Sequence, residues 1–387
     1  MKKVRIGIVG VGGMGASHCK ASQEISECKL TAVSDINQEV AEEVGKEFQA
    51  KAFTDYNAMF KSGLVDAVLI ATPHYFHSVA AVSATKEGLH VLSEKPLSVS
   101  VSEADKMVAS AKKHKRIFSV MYQRRAEVAT RAALKLIREG KLGTISRTLC
   151  IDAWYRSQAY YNSGTWRATW KGEGGGVLIN QAPHTIDLFL LLGGMPSRIK
   201  AKTRTRLHDI EVEDEACALL EYPNGAWGYY FTSTNELPTG YRLEFAGERG
   251  KLVLTPKEVV FYKTPMEISK ASATAKNMWE DLPTKEVKVK LAKTPKTSTH
   301  TRLLKNFCRA ILYGEELLSP GEDGVKSVEF INAMIYSGQK KEAVDLPLNR
   351  KAYDTLLSNL QKKSKPKKHI VETRETDPKI KRALKKK

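Results

Sequence analysis

The sequence lacks both paired cysteines and long hydrophobic runs. Its five cysteines are scattered over 387 residues without a CxxC pair, which argues against a disulfide framework or a structural zinc site and fits a reducing cytoplasm. No apolar stretch approaches the roughly 20 residues that a membrane helix needs. The apolar stretch after Met1–Lys3 is too short for a signal peptide and runs into glycines. We therefore expect a cytoplasmic globular protein with no membrane span and no metal site.

Acidic residues are too few to balance the basic ones. The chain has 62 Lys and Arg against 43 Asp and Glu, a net charge of +19. Residues 361–387 contain twelve Lys and Arg and only three acidic residues, so this segment carries +9. Its polar composition predicts a flexible tail that aids solubility or contacts polyanions loosely, without a specific nucleic-acid site. The remaining positive charge fits attraction of anionic ligands.

Two sequence patterns divide the rest of the chain. Residues 1–122 alternate short apolar strands with helical stretches such as Asn37–Phe48 and Ser102–Lys115, the second opening on Ser102 as a capping residue. This alternation predicts a doubly wound parallel sheet. After a linking helix near Ala126–Arg138, the segment up to residue 350 carries longer strands of period-two alternation separated by turn signals. An α/β fold with a second, largely antiparallel α+β domain follows.

The glycine-rich turn Gly10-Val11-Gly12-Gly13-Met14-Gly15 directly follows the first expected strand, Val4–Val9, and opens a helix. Gly10 permits the tight turn, Gly12 lets backbone approach a pyrophosphate, and Gly15 allows close helix–strand packing. Asp35 lies 20 residues after Gly15, at the end of the second strand, where a carboxylate binds ribose hydroxyls. Because Asp35 would repel a 2′-phosphate, the pattern favours NAD over NADP as cofactor.

Further strand ends must lie at the same edge of the sheet. They carry Thr72-Pro73 with His77 nearby, then Glu94-Lys95-Pro96, then Gln123. In open α/β sheets, ligands bind outside the carboxyl ends of the strands. We expect these residues to border the cofactor and Lys95 to face the nicotinamide. The alternative for Lys95 is an ordinary surface lysine.

A second candidate half-site lies in the glycine-rich segment Gly174–Phe189. Asn180, His184 and Asp187 are spaced i, i+4 and i+7 there, which puts them on one face of a helix. Pro183 must kink this helix or lie in its first turn. The alternative is a satisfied polar pair in an apolar core.

Aromatic and arginine residues crowd into the 17 residues before that helix. This segment holds three of the five tryptophans, and we expect Trp154, Arg156, Trp166 and Arg167 to contact substrate. Aromatic rings stack on the C–H faces of sugars, and arginines donate to hydroxyls or carboxylates. A domain or subunit interface is the alternative.

Taken together, these elements resemble the glucose–fructose oxidoreductase/inositol dehydrogenase/MocA (Gfo/Idh/MocA) family over residues 1 to about 350. The resemblance implies an NAD-binding Rossmann domain in residues 1–122. It implies a substrate-binding and oligomerisation domain in residues 123–350, built on a large open sheet through which homodimers or homotetramers form. It also implies that Lys95 is the catalytic lysine, Glu94 a cofactor-ribose contact and His184 the second proton-handling residue.

The chain departs from the family pattern at Asn180. Many members have an aspartate four residues before the histidine, and an amide can orient a hydroxyl but cannot act as a base. More weight therefore falls on Lys95 and His184, and the sequence leaves open which of them is the base.

The expected activity is hydride transfer between NAD and a secondary hydroxyl of a sugar, sugar derivative or cyclitol. A hydrolytic or lyase alternative retains NAD and works by transient oxidation of the sugar. A non-catalytic NAD-sensing protein would be expected to lack Lys95 or His184, and both are present.

Overall fold

The first domain is a parallel six-stranded sheet covered by helices. The computed structural model describes residues 2–367 and 369–370. The elements up to residue 138 are β1 (Val4–Val9), α1 (Gly13–Gln23), β2 (Cys28–Ser34), α2 (Gln38–Phe48), β3 (Lys51–Phe53), α3 (Tyr56–Lys61), β4 (Ala67–Ile70), α4 (His77–Lys86), β5 (His90–Ser93), α5 (Val101–Lys113), β6 (Phe118–Val120) and α6 (Val128–Arg138), with short 3₁₀ helices at His74–Phe76 and Gln123–Ala126. The strand order is β3-β2-β1-β4-β5-β6, and all pairs are parallel. This is the doubly wound order of dinucleotide-binding domains.

One expected helix start needs correction. Helix α5 begins at Val101 and its N-cap position is Ser100, whereas Ser102 was expected to cap it. Ser102 lies inside the helix, and its hydroxyl donates to Asp354 at 2.9 Å. A serine side chain that bonds to a distant element gives the same local sequence signal as a capping serine.

The second domain is a nine-stranded sheet with helices on one face. Its elements are β7 (Ile145–Tyr155), α7 (Gln158–Asn162), α8 (Val177–Asn180), α9 (Pro183–Gly193), β8 (Arg198–Arg204), β9 (Glu215–Glu221), β10 (Trp227–Ser233), β11 (Asn235–Gly247), β12 (Gly250–Leu254), β13 (Val259–Lys263), α10 (Ile268–Thr274), β14 (Lys285–Lys288), α11 (Thr299–Tyr313), α12 (Gly321–Lys340), β15 (Val344–Asp345) and α13 (Arg350–Lys363). The order is β14-β13-β12-β11-β7-β10-β9-β8-β15, and only the β7–β10 pair is parallel. The expected, mostly antiparallel sheet is confirmed.

The core of this domain lies between the sheet and helices α9 and α12. Phe189 of α9 and Phe330 of α12 pack on Tyr230 of β10, with ring centroids 5.8 and 5.3 Å apart. The opposite face of the sheet exposes Leu219 and Trp227. The sheet is therefore open on one side.

Helix α11 crosses the expected domain boundary. It lies in the 123–350 segment, but its residues Leu303, Leu304 and Phe307 are buried against strands of the first domain. Helix α11 therefore packs with the first domain, although the sequence analysis assigned it to the second.

The segment expected to be a flexible tail begins as ordered structure. Residues 361–363 complete helix α13, and the Gln361 side chain donates to the Tyr75 hydroxyl at 2.8 Å. The Lys367 ammonium donates to the carbonyls of Tyr161 and Gly164. The tail therefore cannot begin at residue 361, and its expected portion from residue 371 onward lies outside the described residues.

Candidate active site

The glycine turn has the shape that a bound pyrophosphate requires. Gly10 has a φ of +81°, and a side chain there would meet the Ala71 carbonyl. A Cβ on Gly15 would lie 1.9 Å from the Gly10 carbonyl oxygen, whereas a Cβ on Gly12 would project into open space. Helix α1 begins at Gly13, so the amides of Gly13 and Met14 belong to its free N-terminal turn. These features fit the diphosphate of a dinucleotide.

Asp35 lies beside this turn at the end of β2. Its carboxylate accepts the backbone N–H groups of Val11 and Asn37, each at 3.0 Å. The side chain is half-buried, so it fixes the turn and still borders the cofactor edge. This placement fits the expected contact with ribose hydroxyls.

Replacing Asp35 with alanine is expected to weaken the preference for NAD. Hydrogen bonds to a charged group contribute about 1.5–3 kcal/mol, so kcat/KM for NAD should fall roughly 10- to 100-fold, while kcat/KM for NADP should fall less or rise. Both constants should be measured in wild type and Asp35→Ala, together with Tm because Asp35 also anchors Val11. A wild type that prefers NADP, or a variant of unchanged preference, contradicts this role.

Glu94 and Lys95 follow β5 at the same edge. The Glu94 carboxylate lies 2.7 Å from His18 Nε2, and the backbone N–H of Lys95 donates to it at 3.0 Å. Burial opposes ionisation of Glu94, but the hydrogen bond and charge of His18 outweigh it and lower its pKa to about 2. The Lys95 ammonium donates to the Asn180 carbonyl at 3.0 Å. Burial lowers the pKa of Lys95 from its usual range, with Glu94 acting against this.

His77 has a different position from the one expected at the cofactor edge. Its ring is fully buried, and its nitrogens lie 2.9 Å from the Pro96 carbonyl and 2.8 Å from the Thr72 carbonyl. Both nitrogens are therefore occupied by protein. His77 ties the end of β4 to the turn after Lys95, and of the three residues expected at this strand end, Thr72 is half-buried and Pro73 is exposed.

His184 lies in the first turn of α9, directly after Pro183. Pro183 occupies the first turn, one of the two positions expected for it. Burial lowers the pKa of His184 well below its usual value, and the charge of Lys95 acts in the same direction. Its Nε2 lies 3.4 Å from the Gln123 amide nitrogen, and its Nδ1 has no partner. Gln123, expected at the cofactor, thus also borders the histidine.

Asn180 does not lie on the same helix as His184 and Asp187. Helix α8 ends at Asn180, and the chain turns before α9 begins at Pro183. Asp187 is buried and pairs with Arg125 at 2.5 Å. The break between the two helices therefore takes Asn180 out of the expected i, i+4, i+7 series, whereas His184 and Asp187 stay three residues apart in α9.

The aromatic segment forms a cluster around Tyr160. The Arg156 guanidinium lies 5.0 Å and that of Arg167 4.4 Å from the Tyr160 ring centroid. Arg156 also lies 5.5 Å from the Trp154 ring, and Arg167 lies 4.5 Å from that of Trp166. The Tyr160 hydroxyl accepts from Arg167 at 2.6 Å and from Asn180 at 3.2 Å. The four substrate-contact candidates are thus connected to the Lys95 site through Asn180.

The guanidinium groups of this cluster lack counterions. Within residues 2–367, neither Arg156 nor Arg167 has a carboxylate within ion-pair distance, and the Nε of each is buried without a partner. Arg124 stacks on Trp154 and Tyr241 and donates to the Thr185 hydroxyl at 2.9 Å. Arg156 and Arg167 therefore have no direct ion-pair partner among the described residues.

Comparison with known families identifies the class of protein. A model described as an oxidoreductase family with an NAD-binding Rossmann fold matches residues 4–122. A model described as the GFO/IDH/MocA C-terminal domain matches residues 130–253. Together they cover more than half of the sequence. The chain belongs to the Gfo/Idh/MocA oxidoreductase family, and its first domain is an NAD-binding Rossmann domain.

The proteins that this chain resembles have different activities. The chain is 29% identical to the 2,7-anhydro-N-acetylneuraminate hydratase of Mediterraneibacter gnavus over 51% of this chain and 52% of the relative. It is 27% identical to the myo-inositol 2-dehydrogenase of Thermotoga maritima over 64% and 74%. The crystal structure of the WlbA dehydrogenase from Bordetella pertussis with NADH and UDP-GlcNAcA matches with a TM-score of 0.75 and 26% identity, covering 90% of this chain and all of that one. The chain thus spans about half the length of the hydratase.

One residue of the site, Glu173, was not among the expected ones. It accepts a hydrogen bond from the Asn180 amide. An isolated acidic residue beside the glycines Gly174–Gly176 was the one local signal for Glu173. In the described part of the chain, no group of three or more His, Cys, Asp or Glu side chains could hold a metal ion.

Proposed function

We propose that this protein is an NAD-dependent dehydrogenase that oxidises a secondary hydroxyl of a sugar, sugar derivative or cyclitol, or reduces the corresponding ketone. The observation that carries the proposal is Lys95, an amine of lowered pKa held against Asn180 at the carboxyl edge of the sheet. NAD, when bound, supplies the hydride acceptor. Gly10–Gly15, Asp35 and Glu94 would hold it beside this lysine.

Lys95 is the group that takes the hydroxyl proton. A base works best when its pKa lies near the working pH, and burial brings that of Lys95 down toward it. Burial holds His184 neutral, which makes it a weak base, but its free Nδ1 can hydrogen-bond the hydroxyl or the ketone oxygen. In the reverse direction, protonated Lys95 donates to the ketone oxygen.

The substrate of this proposal carries a carboxylate or phosphate. Arg156 and Arg167 are held by aromatic stacking with free donors and no counterion, and guanidinium groups bind both anions through paired hydrogen bonds. The WlbA structure from B. pertussis contains UDP-GlcNAcA, whose diphosphate is such an anion.

A substrate panel tests the proposal. We expect NADH formation from NAD with hexuronates, hexose phosphates or sugar nucleotides at a kcat/KM at least tenfold above that of the matched neutral sugar, since hydrogen bonds to charged groups contribute about 1.5–3 kcal/mol. Arg156→Gln and Arg167→Gln should lower this ratio mainly through KM. Equal rates with acidic and neutral sugars would show that the substrate does not need an acidic group. No NADH formation with any sugar of the panel would contradict the dehydrogenase assignment.

A hydratase or hydrolase that retains NAD is the second candidate, and the similarity to a 2,7-anhydro-N-acetylneuraminate hydratase favours it. Lys95 and His184 would serve the same transient oxidation. This candidate predicts product formation without net NADH, and NAD that stays bound through purification. Stoichiometric NADH release separates the dehydrogenase from it.

We place the protein in the cytoplasm as a homo-oligomer assembled through the open face of the large sheet. The exposed Leu219, Trp227 and Tyr229 of that face support the assembly, since contiguous apolar surface marks interfaces. Five unpaired cysteines support a reducing compartment. None of the helices in the described residues is long and apolar enough to cross a membrane.

A further inference from the structure

Asn180 stands where many family members have an aspartate, yet a carboxyl group is present at this point of the site. The Asn180 side-chain amide donates to Glu173 Oε1 and, at 3.2 Å, to the Tyr160 hydroxyl. The backbone carbonyl of the same residue accepts from Lys95. Asn180 therefore connects the Glu173 carboxylate to the Lys95 amine through one residue.

Glu173 is held in place at both carboxylate oxygens. Its side chain is buried, Oε2 accepts from the Ala168 N–H at 2.5 Å, and Oε1 accepts from Asn180. Its backbone carbonyl lies 3.1 Å from His74 Nδ1. In the part of the chain that the structure describes, no Lys or Arg lies within ion-pair distance of it. The carboxylate is thus fixed but not neutralised by a direct partner.

Six titratable residues interact electrostatically with Glu173. They are Lys95, Tyr160, Tyr161, Arg167, Glu213 and Lys367. Burial raises the pKa of Glu173 to about 7, against the lowering effect of Arg167 and Lys95.

We propose that Glu173 is a positioning residue that supplies the carboxylate which the family pattern places at position 180. It orients the Asn180 amide by hydrogen bonding. Its negative charge stabilises the protonated form of Lys95 produced when substrate loses its proton. This inference deepens the proposed function and rests on it for its kinetic consequences.

The sign of the effect on Lys95 follows from the charges. Glu94 and Glu173 favour protonated Lys95, whereas Arg156 and Arg167 disfavour it. At low pH, kcat/KM for oxidation falls because protonated Lys95 is inactive. Removing the Glu173 charge lowers the pKa of Lys95, so this low-pH limb of the profile moves to lower pH. Removing the Arg167 charge raises the pKa of Lys95 and moves the limb to higher pH. A purely structural role would not produce shifts of opposite sign.

The kinetic test uses Glu173→Gln, which keeps the shape and the hydrogen-bonding length of the side chain. We expect kcat to fall by about one order of magnitude, less than the roughly 10²- to 10⁴-fold effect of a positioned acid or base itself, with the low-pH limb moved downward. Adding Asn180→Asp to Glu173→Gln returns a carboxylate to the neighbouring position and should restore both the rate and the limb. Unchanged pH profiles, or no rescue in the double variant, would overturn the proposal.

Glu213→Gln is the matched control. Glu213 is equally buried, burial raises its pKa to about 7 as well, and it holds the same turn by accepting from Gly176 and Leu178. We expect this variant to lower Tm without moving the pH limb. An equal shift of the limb in Glu213→Gln would show that loosening the turn, not the charge of Glu173, is responsible.

A measurement without substrate separates this inference from the proposed function. The pH dependence of Lys95 acetylation by acetic anhydride, followed by mass spectrometry of the holoenzyme, reports the pKa of its amine directly. It should be lower in Glu173→Gln than in wild type. If the pKa of Lys95 is lower in the variant and no sugar reduces NAD, the dehydrogenase assignment fails while the electrostatic role of Glu173 stands. If the pKa of Lys95 is the same in both proteins, the proposed role of Glu173 fails, whatever the substrate panel shows.

Discussion

Lys95→Met is expected to abolish NADH formation while leaving NAD binding nearly unchanged. Methionine preserves most of the volume of the lysine stem but offers neither a base nor a donor. A positioned acid or base contributes roughly 10²- to 10⁴-fold to the rate. The variant also lacks the hydrogen bond to Asn180, so the loss in kcat should reach the upper end of that range or exceed it. NAD should still bind, because Gly10–Gly15, Asp35 and Glu94 would hold it.

Two measurements on each variant separate catalysis from binding. NADH formation gives kcat, and titration of NAD against protein fluorescence gives the cofactor Kd. His184→Ala should lower kcat less than Lys95→Met, because neutral His184 orients the hydroxyl. If the two residues act as a unit, the double variant should be little worse than Lys95→Met alone. Full turnover in Lys95→Met would show that Lys95 is not the base.

The first domain could be predicted closely because its signals are local. Strands Val4–Val9 and His90–Ser93 have the bounds expected from their apolar runs. The glycine turn and the strand ends then fix where Asp35 and Lys95 must lie, since parallel strands share one carboxyl edge. Geometry, not composition, makes that inference reliable.

The second half of the site could be predicted only in part because its contacts are not local. Arg125 takes Asp187 out of the site from 62 residues away along the chain, and even the nearby bond of Glu173 to Asn180, seven residues apart, depends on how the turn between them folds. His77 had the right place in the sequence, but both of its ring nitrogens bind backbone carbonyls. Side-chain partners decide such roles, and they appear only in the folded protein.

The outer strands of the large sheet carry little sequence signal of their own. Val259–Lys263 is short, and Lys285–Lys288 is mostly polar, so neither shows a clear alternation. Each forms because a neighbouring strand offers it hydrogen bonds, as in the pairing of Val260 with Lys288. Edge strands depend on their neighbours more than on their own sequence.

A buried ion network joins the two halves of the site, and removing one partner from it should cost more stability than disrupting an exposed ion pair. Arg125 follows β6 and is 5% exposed. It donates to both oxygens of Asp187 in α9, at 2.8 and 2.5 Å, and to Asp323 in α12 at 2.7 Å. One guanidinium thus fixes α9, which carries His184, against the first domain.

Arg125→Met is expected to lower the free energy of unfolding by about 3–5 kcal/mol, because removing one partner leaves buried charges uncompensated. Arg5→Met is the matched control: Arg5 also binds an aspartate bidentately, Asp66, but the two side chains are 45% and 39% exposed, so the loss should be about 1 kcal/mol or less. The charge of Arg125 lowers the pKa of Asp323 against the effect of burial. The stabilising effect of ionised Asp323 is present above the pKa of this aspartate in the unfolded chain and is lost as pH falls. The loss of unfolding free energy in Arg125→Met should therefore be smaller in acid. Urea unfolding of both variants at neutral and acidic pH measures this, and a deficit equal to that of Arg5→Met, or one independent of pH, would show that the network does not hold α9 in place.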